Sequence, residues 1–338
     1  MYPCFTICCI LGIFPYKINA AIFEASRSRY VVFTVISCVT CVYQIIRIYE
    51  INMLSKNRNS TAAKIQDNCY SILGSFIVIV SFILSGPRMR LLQKILQVST
   101  KLPQKSFEKL SKLIHIKDIF GFLFLMVQNV ALLKSSFYQN VSKNIGMFLI
   151  TEVMEHYISV QIFQMNMLYV NCVCILKAFF KRIDDNLTNL QELIINDKSH
   201  VPRLIYGQQR NPLAELKTFE KQHLLVSNVV QMLNIIFSPQ LLATFAIVFI
   251  EITFELYINM VQWHNGLSIN FTKQIRNILG MSYIMYHIIT ITLIVWACET
   301  GKNQVKKINT TIHDFLNSTS DKQLKNEVQI KKLISLYH

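Results

Sequence analysis

Apolar residues in this chain gather into long blocks separated by polar connections. Six blocks, at 30–46, 69–86, 119–133, 145–176, 229–261 and 278–298, approach or exceed the about 20 residues a helix needs to cross a bilayer core. The second is closed by Pro87, which cannot continue a regular helix. The third is short by itself and extends backward through Lys117 and Asp118. The fourth and fifth exceed one bilayer thickness, so they must tilt or project into water. The sixth gives way abruptly to a lysine-rich tail beginning at Glu299.

The polar connections also carry helical periodicity. Leu92, Ile95, Leu96, Leu110, Leu113 and Ile114 recur at helical spacing, interrupted by Pro103. In the tail, Val305, Ile308, Ile312, Phe315 and Leu316 form one stripe. Residues 1–16 are apolar but lack a preceding basic stretch and a small-residue cleavage site, so they read as a short helix or re-entrant segment at the inner surface. Pro202, Gly207 and Pro212 mark 195–210 as a flexible loop. The expected fold is an all-α membrane protein: a bundle of six transmembrane helices over 1–298, a cytoplasmic helical tail over 299–338, and the N-terminus inside.

Composition supports lipid as the solvent. Of 338 residues, 52% are hydrophobic and 16% charged, against about a quarter charged in a soluble domain. The net charge of +15 does not imply nucleic acid, because the basic residues lie in connections and not on one basic face. They do give direction. Alternate connections carry 26 and 8 lysines and arginines, which places both termini in the cytoplasm. Each expected outer loop holds one glycosylation sequon, at Asn59, Asn140 and Asn270, although Asn186, Asn309 and Asn317 begin sequons on the expected inner side. The nine cysteines fall mostly in or beside apolar blocks and suggest no disulfide framework.

No nucleotide-binding, metalloprotease or nucleophile-elbow motif is present, and neither an enzyme activity, a cofactor nor a metal is expected. Polar groups inside the spans carry more information, since each is costly in lipid unless it faces a partner or a cavity. Glu152, Glu155 and His156 share a face of the fourth span; Glu251 and Glu255 share one of the fifth; Tyr283, Tyr286 and His287 share one of the sixth. Gln128 and Asn129 sit midway along the third. The charge-derived orientation puts the groups of the last three spans in the outer half of the membrane. They either line an outward-opening pocket for a small polar or amphipathic ligand or satisfy one another as packing contacts, with Glu255 and Tyr283 at the interface.

From Gln161-Ile162-Phe163 onward the chain resembles the insect gustatory receptor family. Leu168-Tyr169 and Phe179-Phe180-Lys181-Arg182-Ile183-Asp184-Asp185 look like the end of that family's fourth helix. Asn234-Ile235-Ile236-Phe237-Ser238-Pro239-Gln240 resembles the start of its fifth, and Cys298-Glu299 through Leu324-Lys325-Asn326-Glu327 its last cytoplasmic connection. The resemblance implies a seven-span, N-terminus-inside receptor of the plasma membrane that is itself a tetrameric cation channel, holding a small-molecule tastant in the outer halves of its helices. That family ends in a further span with a Thr-Tyr and Gln-Phe signature, whereas here the sequence stops at Tyr337-His338. The expectation is therefore an incomplete gene model or a truncated copy, with no pore residue assigned. A small-solute transporter is the alternative, although no internal repeat supports it.

Overall fold

The computed structural model describes residues 2–19, 22–54, 61–139, 145–196, 212–264 and 271–318. The sequons at Asn59, Asn140 and Asn270, most of the expected loop at 195–210 and the tail beyond Ser318 lie outside them.

Eight α-helices account for nearly all the described residues: α1 (Tyr2–Ile10), α2 (Arg27–Tyr49), α3 (Thr61–Ile83), α4 (Ser85–Ser99), α5 (Gln104–Gln139), α6 (Ile145–Asn196), α7 (Pro212–His264) and α8 (Phe271–Ser318). Six of them, α2, α3, α5, α6, α7 and α8, are long and apolar enough to cross a membrane, one for each expected span. All extend beyond their apolar blocks. The tail stripe continues α8 without a break to Ser318, with Ile308 and Phe315 buried. Pro87 does not end the second span in open chain. Only Leu84 separates α3 from α4, and Pro87 lies in the first turn of α4, where a missing N–H is tolerated. Pro103 does mark a break, between α4 and α5.

One element was not expected. After α1, Gly12 adopts a left-handed φ of +68°, and the chain forms a hairpin of β1 (Tyr16–Asn19) and β2 (Ile22–Ala25), paired from Tyr16 with Ala25 to Asn19 with Ile22. Tyr16 and Phe23 are buried, Lys17 and Glu24 exposed, and the Gln93 side chain accepts from the Phe23 amide at 2.9 Å. Arg29 ties the segment to α2 by donating to the Tyr16 carbonyl at 2.6 Å. Burial pushes the Cys9 thiol and the Tyr16 phenol above their ordinary pKa values.

The chain forms two compact units. The first comprises 1–93, 111–171 and 233–295; the second comprises 94–110, 172–232 and 296–338.

In the first unit α6 is the central helix. Over its most apolar window 78% of residues are buried, against 22–44% in the other spans. Ile158 and Ile162 of α6 pack with Ile77 of α3 and with Ala243 and Ile247 of α7, while Phe163 and Met167 pack with Leu125 of α5 and Tyr286 of α8. The outer helices turn apolar faces outward: Val31, Val35, Val39 and Val42 of α2 and Phe120, Leu123 and Val127 of α5 are exposed, as lipid contact requires. Polar residues on α6 find partners inside. Asn171 donates to Asp118 Oδ2 at 2.7 Å, Lys117 pairs with Asp118 at 2.9 Å, and Thr244 donates to Asn166 at 3.4 Å. Arg88, 1% exposed, lies 5.4 Å from the Phe237 ring and donates to Gln240.

In the second unit the buried carboxylate of Asp184 on α6 meets three residues of α8. Lys307 Nζ is 2.8 Å away, Thr311 donates at 2.7 Å and Gln304 at 3.4 Å. Phe180 meets His223 edge-on at 5.8 Å, and Lys177 lies over the Trp296 ring at 5.3 Å.

Gly121 gives a packing test in the first unit. A Cβ there would lie 2.7 Å from the Phe163 ring, itself buried in the α5–α6–α8 cluster. Gly121→Ala should destabilise the bundle by about 1–3 kcal/mol. Thermal unfolding in detergent checks this: an unchanged midpoint would contradict the close approach of α5 to α6.

Candidate ligand-binding cavity

The first unit holds a half-open cavity of about 470 Å³ between α2, α3, α5, α6, α7 and α8. Helical periodicity delivers its wall. On α6, Glu152, Glu155, His156 and Ser159 recur at intervals of three, one and three residues and share a face. On α7, Glu251, Glu255, Ile258 and Asn259 do the same, and α8 adds Leu279, Gly280 and Tyr283. Gln66, Asp67, Tyr70 and Ser71 come from the first turns of α3, Asn129 and Leu132 from α5, and Arg47 from the last turn of α2.

Ion pairs and hydrogen bonds stitch these helices across the cavity. Arg47 spans from α2 to α6, with Nη2 3.1 Å from Glu155 Oε1 and Nε donating to the same oxygen at 3.3 Å; its Nη1 is 3.7 Å from Glu50. Gln66 of α3 donates to Glu251 Oε2 of α7 at 2.7 Å. His156 lies 3.7 Å from Glu152 one turn away. Asn259 turns its amide back on the Glu255 carbonyl at 2.7 Å. Gly280 lets α8 approach α7: a Cβ there would lie 2.9 Å from Glu255 Oε2.

Of the residues singled out from sequence, Glu152, Glu155, His156, Glu251, Glu255 and Tyr283 meet on this wall. Gln128, Tyr286 and His287 do not. Tyr286 is buried among Leu125, Val160, Phe163 and Met167. His287 is held edge-on to Tyr283 at 4.4 Å and to Tyr286 at 5.1 Å, so the two form the packing behind the cavity wall. Gln128 is buried one position from Asn129, a rotation of about 100° on a helix, and it is Asn129 that reaches the cavity. Sequence reasoning did not assign Arg47, Gln66 or Asp67, because they fall in what hydropathy counts as connection, nor Tyr70, which lies at the start of the second apolar block. The signal that could have found them is position. Arg47 ends α2 and Gln66 opens α3, at the depth where α6 carries Glu155 and α7 carries Glu251.

Among the described residues no three His, Cys, Asp or Glu side chains are placed to hold a metal ion, and Cys8, Cys9, Cys38, Cys41, Cys69, Cys172, Cys174 and Cys298 form no disulfide.

A model of the family described as 7tm chemosensory receptor matches residues 1–336. Among solved structures, the insect olfactory receptor OR5 from Machilis hrabei superposes with a TM-score of 0.70 over 97% of this chain and 88% of its own, at 12% sequence identity. That likeness establishes the fold. No curated protein sequence matches the chain.

The Arg47–Glu155 pair offers a direct test of the wall. Arg47→Met strands the Glu155 carboxylate and should destabilise the protein by about 1–3 kcal/mol. Adding Glu155→Gln should recover more than half of that loss, since the uncompensated charge is gone. Melting midpoints of the single and double variants measure the coupling. Purely additive effects would show that the contact carries no energy.

Proposed function

The chain belongs to the 7tm chemosensory receptor family, and from that premise we propose that it is a gustatory-type receptor of the plasma membrane. It is a subunit of a ligand-gated cation channel, working as a homo- or hetero-tetramer, and it takes a small tastant into the cavity of its first unit. The observation that carries this reading is the cavity itself: about 470 Å³, with carboxylates, amides and two tyrosines facing inward in a bundle whose outer faces are valine, leucine and phenylalanine. Such a cavity suits a small molecule.

The choice of gustatory over olfactory type rests on the resemblance of Gln161-Ile162-Phe163, Phe179-Phe180-Lys181-Arg182 and Leu233-Asn234-Ile235-Ile236-Phe237 to that branch. The orientation rests on the 26-to-8 excess of lysine and arginine in alternate connections, which puts both chain ends in the cytoplasm. In that orientation Glu152 and Glu155, near the start of α6, and Glu251 and Glu255, near the end of α7, lie toward the extracellular side. A tastant would then reach the cavity from outside the cell.

Two measurements test the proposal. An epitope tag on the N-terminus should be invisible to antibody on intact cells and stain only after permeabilisation; staining of intact cells would invert the orientation and close the route to the cavity. In voltage-clamped cells expressing the chain, a panel of small tastants should evoke cation currents. Glu155→Gln or His156→Gln should then shift half-maximal concentrations about tenfold, equivalent to about 1.4 kcal/mol, with little change in surface expression. Identical dose–response curves in both variants would remove the cavity from the ligand path. Absence of any evoked current from surface-localised protein would remove the channel.

A further inference from the structure

We propose that one corner of the first unit, built by the β1–β2 hairpin and the starts of α2 and α4, binds the headgroup of an anionic phospholipid in the cytoplasmic leaflet. The inference is independent of what the cavity holds. It rests on the charge-derived placement of the N-terminus in the cytoplasm. The centre of the corner is Tyr16, which is buried. Arg29 Nη1 donates to its carbonyl at 2.6 Å, and Lys17 follows it in β1. Burial raises the pKa of its phenol, while a hydrogen bond with Ser85 and the fields of Arg88 and Arg90 oppose that rise. Three elements thus bring four basic residues to one tyrosine.

Arg88 is buried, but Lys17, Arg29 and Arg90 are exposed, as is Arg27 at the start of α2. Little acid stands beside them. Glu24, across the hairpin from Lys17, is the only acidic residue in 1–49, and α4 has none. Among the described residues Lys17, Arg27 and Arg90 form no ion pair. Cations near the inner surface of a membrane attract anionic headgroups, and an arginine fork matches phosphate oxygens in pairs.

A second, independent observation identifies the source of the anion as lipid. Arg27, Val31, Val35, Val39 and Val42 recur at intervals of four, four, four and three residues, so they share one face of α2. The four valines are exposed and meet hydrocarbon. Arg27 therefore stands one turn beyond the hydrocarbon edge, at the depth of lipid phosphates. Ile10, Ile22 and Tyr30 are exposed around the same corner. Basic side chains mixed with apolar and aromatic ones seat a segment at a membrane interface. An acidic protein or a nucleic acid would answer the charge but leave those apolar side chains in water.

The test titrates the purified full-length chain in detergent with dioctanoyl phosphatidylinositol bisphosphate, a short-chain lipid with several phosphate charges, and reads binding by thermophoresis. Binding should saturate, and dioctanoyl phosphatidylcholine should not compete. Inositol trisphosphate, a phosphorylated headgroup without tails, should bind at least about tenfold more weakly, because it forgoes the apolar side chains. Arg27→Gln and Arg90→Gln should each weaken lipid binding about fivefold. Lys306→Gln removes the same charge from an exposed position on α8, in the second unit, and should leave binding unchanged. Equal losses in all three variants would show charge without a site and overturn the proposal. Equal binding of inositol trisphosphate would replace the lipid with a soluble phosphate, and absence of saturable binding would remove the site altogether. The wild-type comparison of lipid with free headgroup decides without any variant. A cytoplasmic N-terminal tag with no lipid binding would sink this site alone, whereas a tag reached on intact cells would overturn the leaflet together with the orientation.

Discussion

A bundle whose exterior meets hydrocarbon must place its polar groups inside, and the arrangement of the first unit follows from that inversion. On α2 the buried positions are Phe33, Ser37, Thr40 and Gln44, while Val31, Val35, Val39 and Val42 face outward. On α3 the inward positions include Ser71, Gly74 and Ser81. In water such helices would pack the other way round. What gathers them is a central helix, α6, that is buried on nearly every side and itself carries Gln161, Gln164, Asn166 and Asn171. Hydrophobic burial alone cannot hold helices together in lipid, where the tails are as apolar as leucine. Small residues that permit close approach, and polar pairs such as Asn171 with Asp118, supply register instead.

The cavity is where this inward polarity exceeds what packing can absorb. Around Phe163 and Tyr286 the helices close on one another and the space is filled. Toward the N-terminal end of α6 the wall turns to Glu152, Glu155 and Ser159, and the bundle leaves a void instead of a dry core. The contacts that cross it, Arg47 to Glu155 and Gln66 to Glu251, join α2 to α6 and α3 to α7. The groups that would recognise a ligand are thus also the groups that hold the wall in place. A ligand competing for those oxygens acts on the helices that carry them, which is the linkage a ligand-gated receptor needs.

Much of this was legible in the sequence because lipid imposes a simple code. Long apolar blocks marked all six spans, and carboxylates within them marked the inward faces of α6 and α7. The code fails at helix ends. Arg47, Gln66, Asp67 and Tyr70 read as connection or boundary, yet α2 and α3 extend past their apolar blocks and aim these side chains inward. It fails again at single-residue resolution. Gln128 and Asn129 are chemically alike, and only the rotation of α5 decides which reaches the cavity. Tyr283, Tyr286 and His287 share a face, but the depth to which that face is packed separates the first from the other two. The hairpin at Tyr16–Asn19 and Ile22–Ala25 was hidden because four-residue strands give too short a pattern to stand out in an apolar stretch.

The two units place their carboxylates differently. In the second unit Asp184 is fully buried, and Lys307, Thr311 and Gln304 all converge on its two oxygens. Its charge is answered within the chain, so its role is to fix α8 against α6. In the first unit Arg47 reaches Glu155 and Gln66 reaches Glu251, so carboxylates there join α2 to α6 and α3 to α7 along the wall of an open cavity, whereas the Asp184 cluster closes on itself.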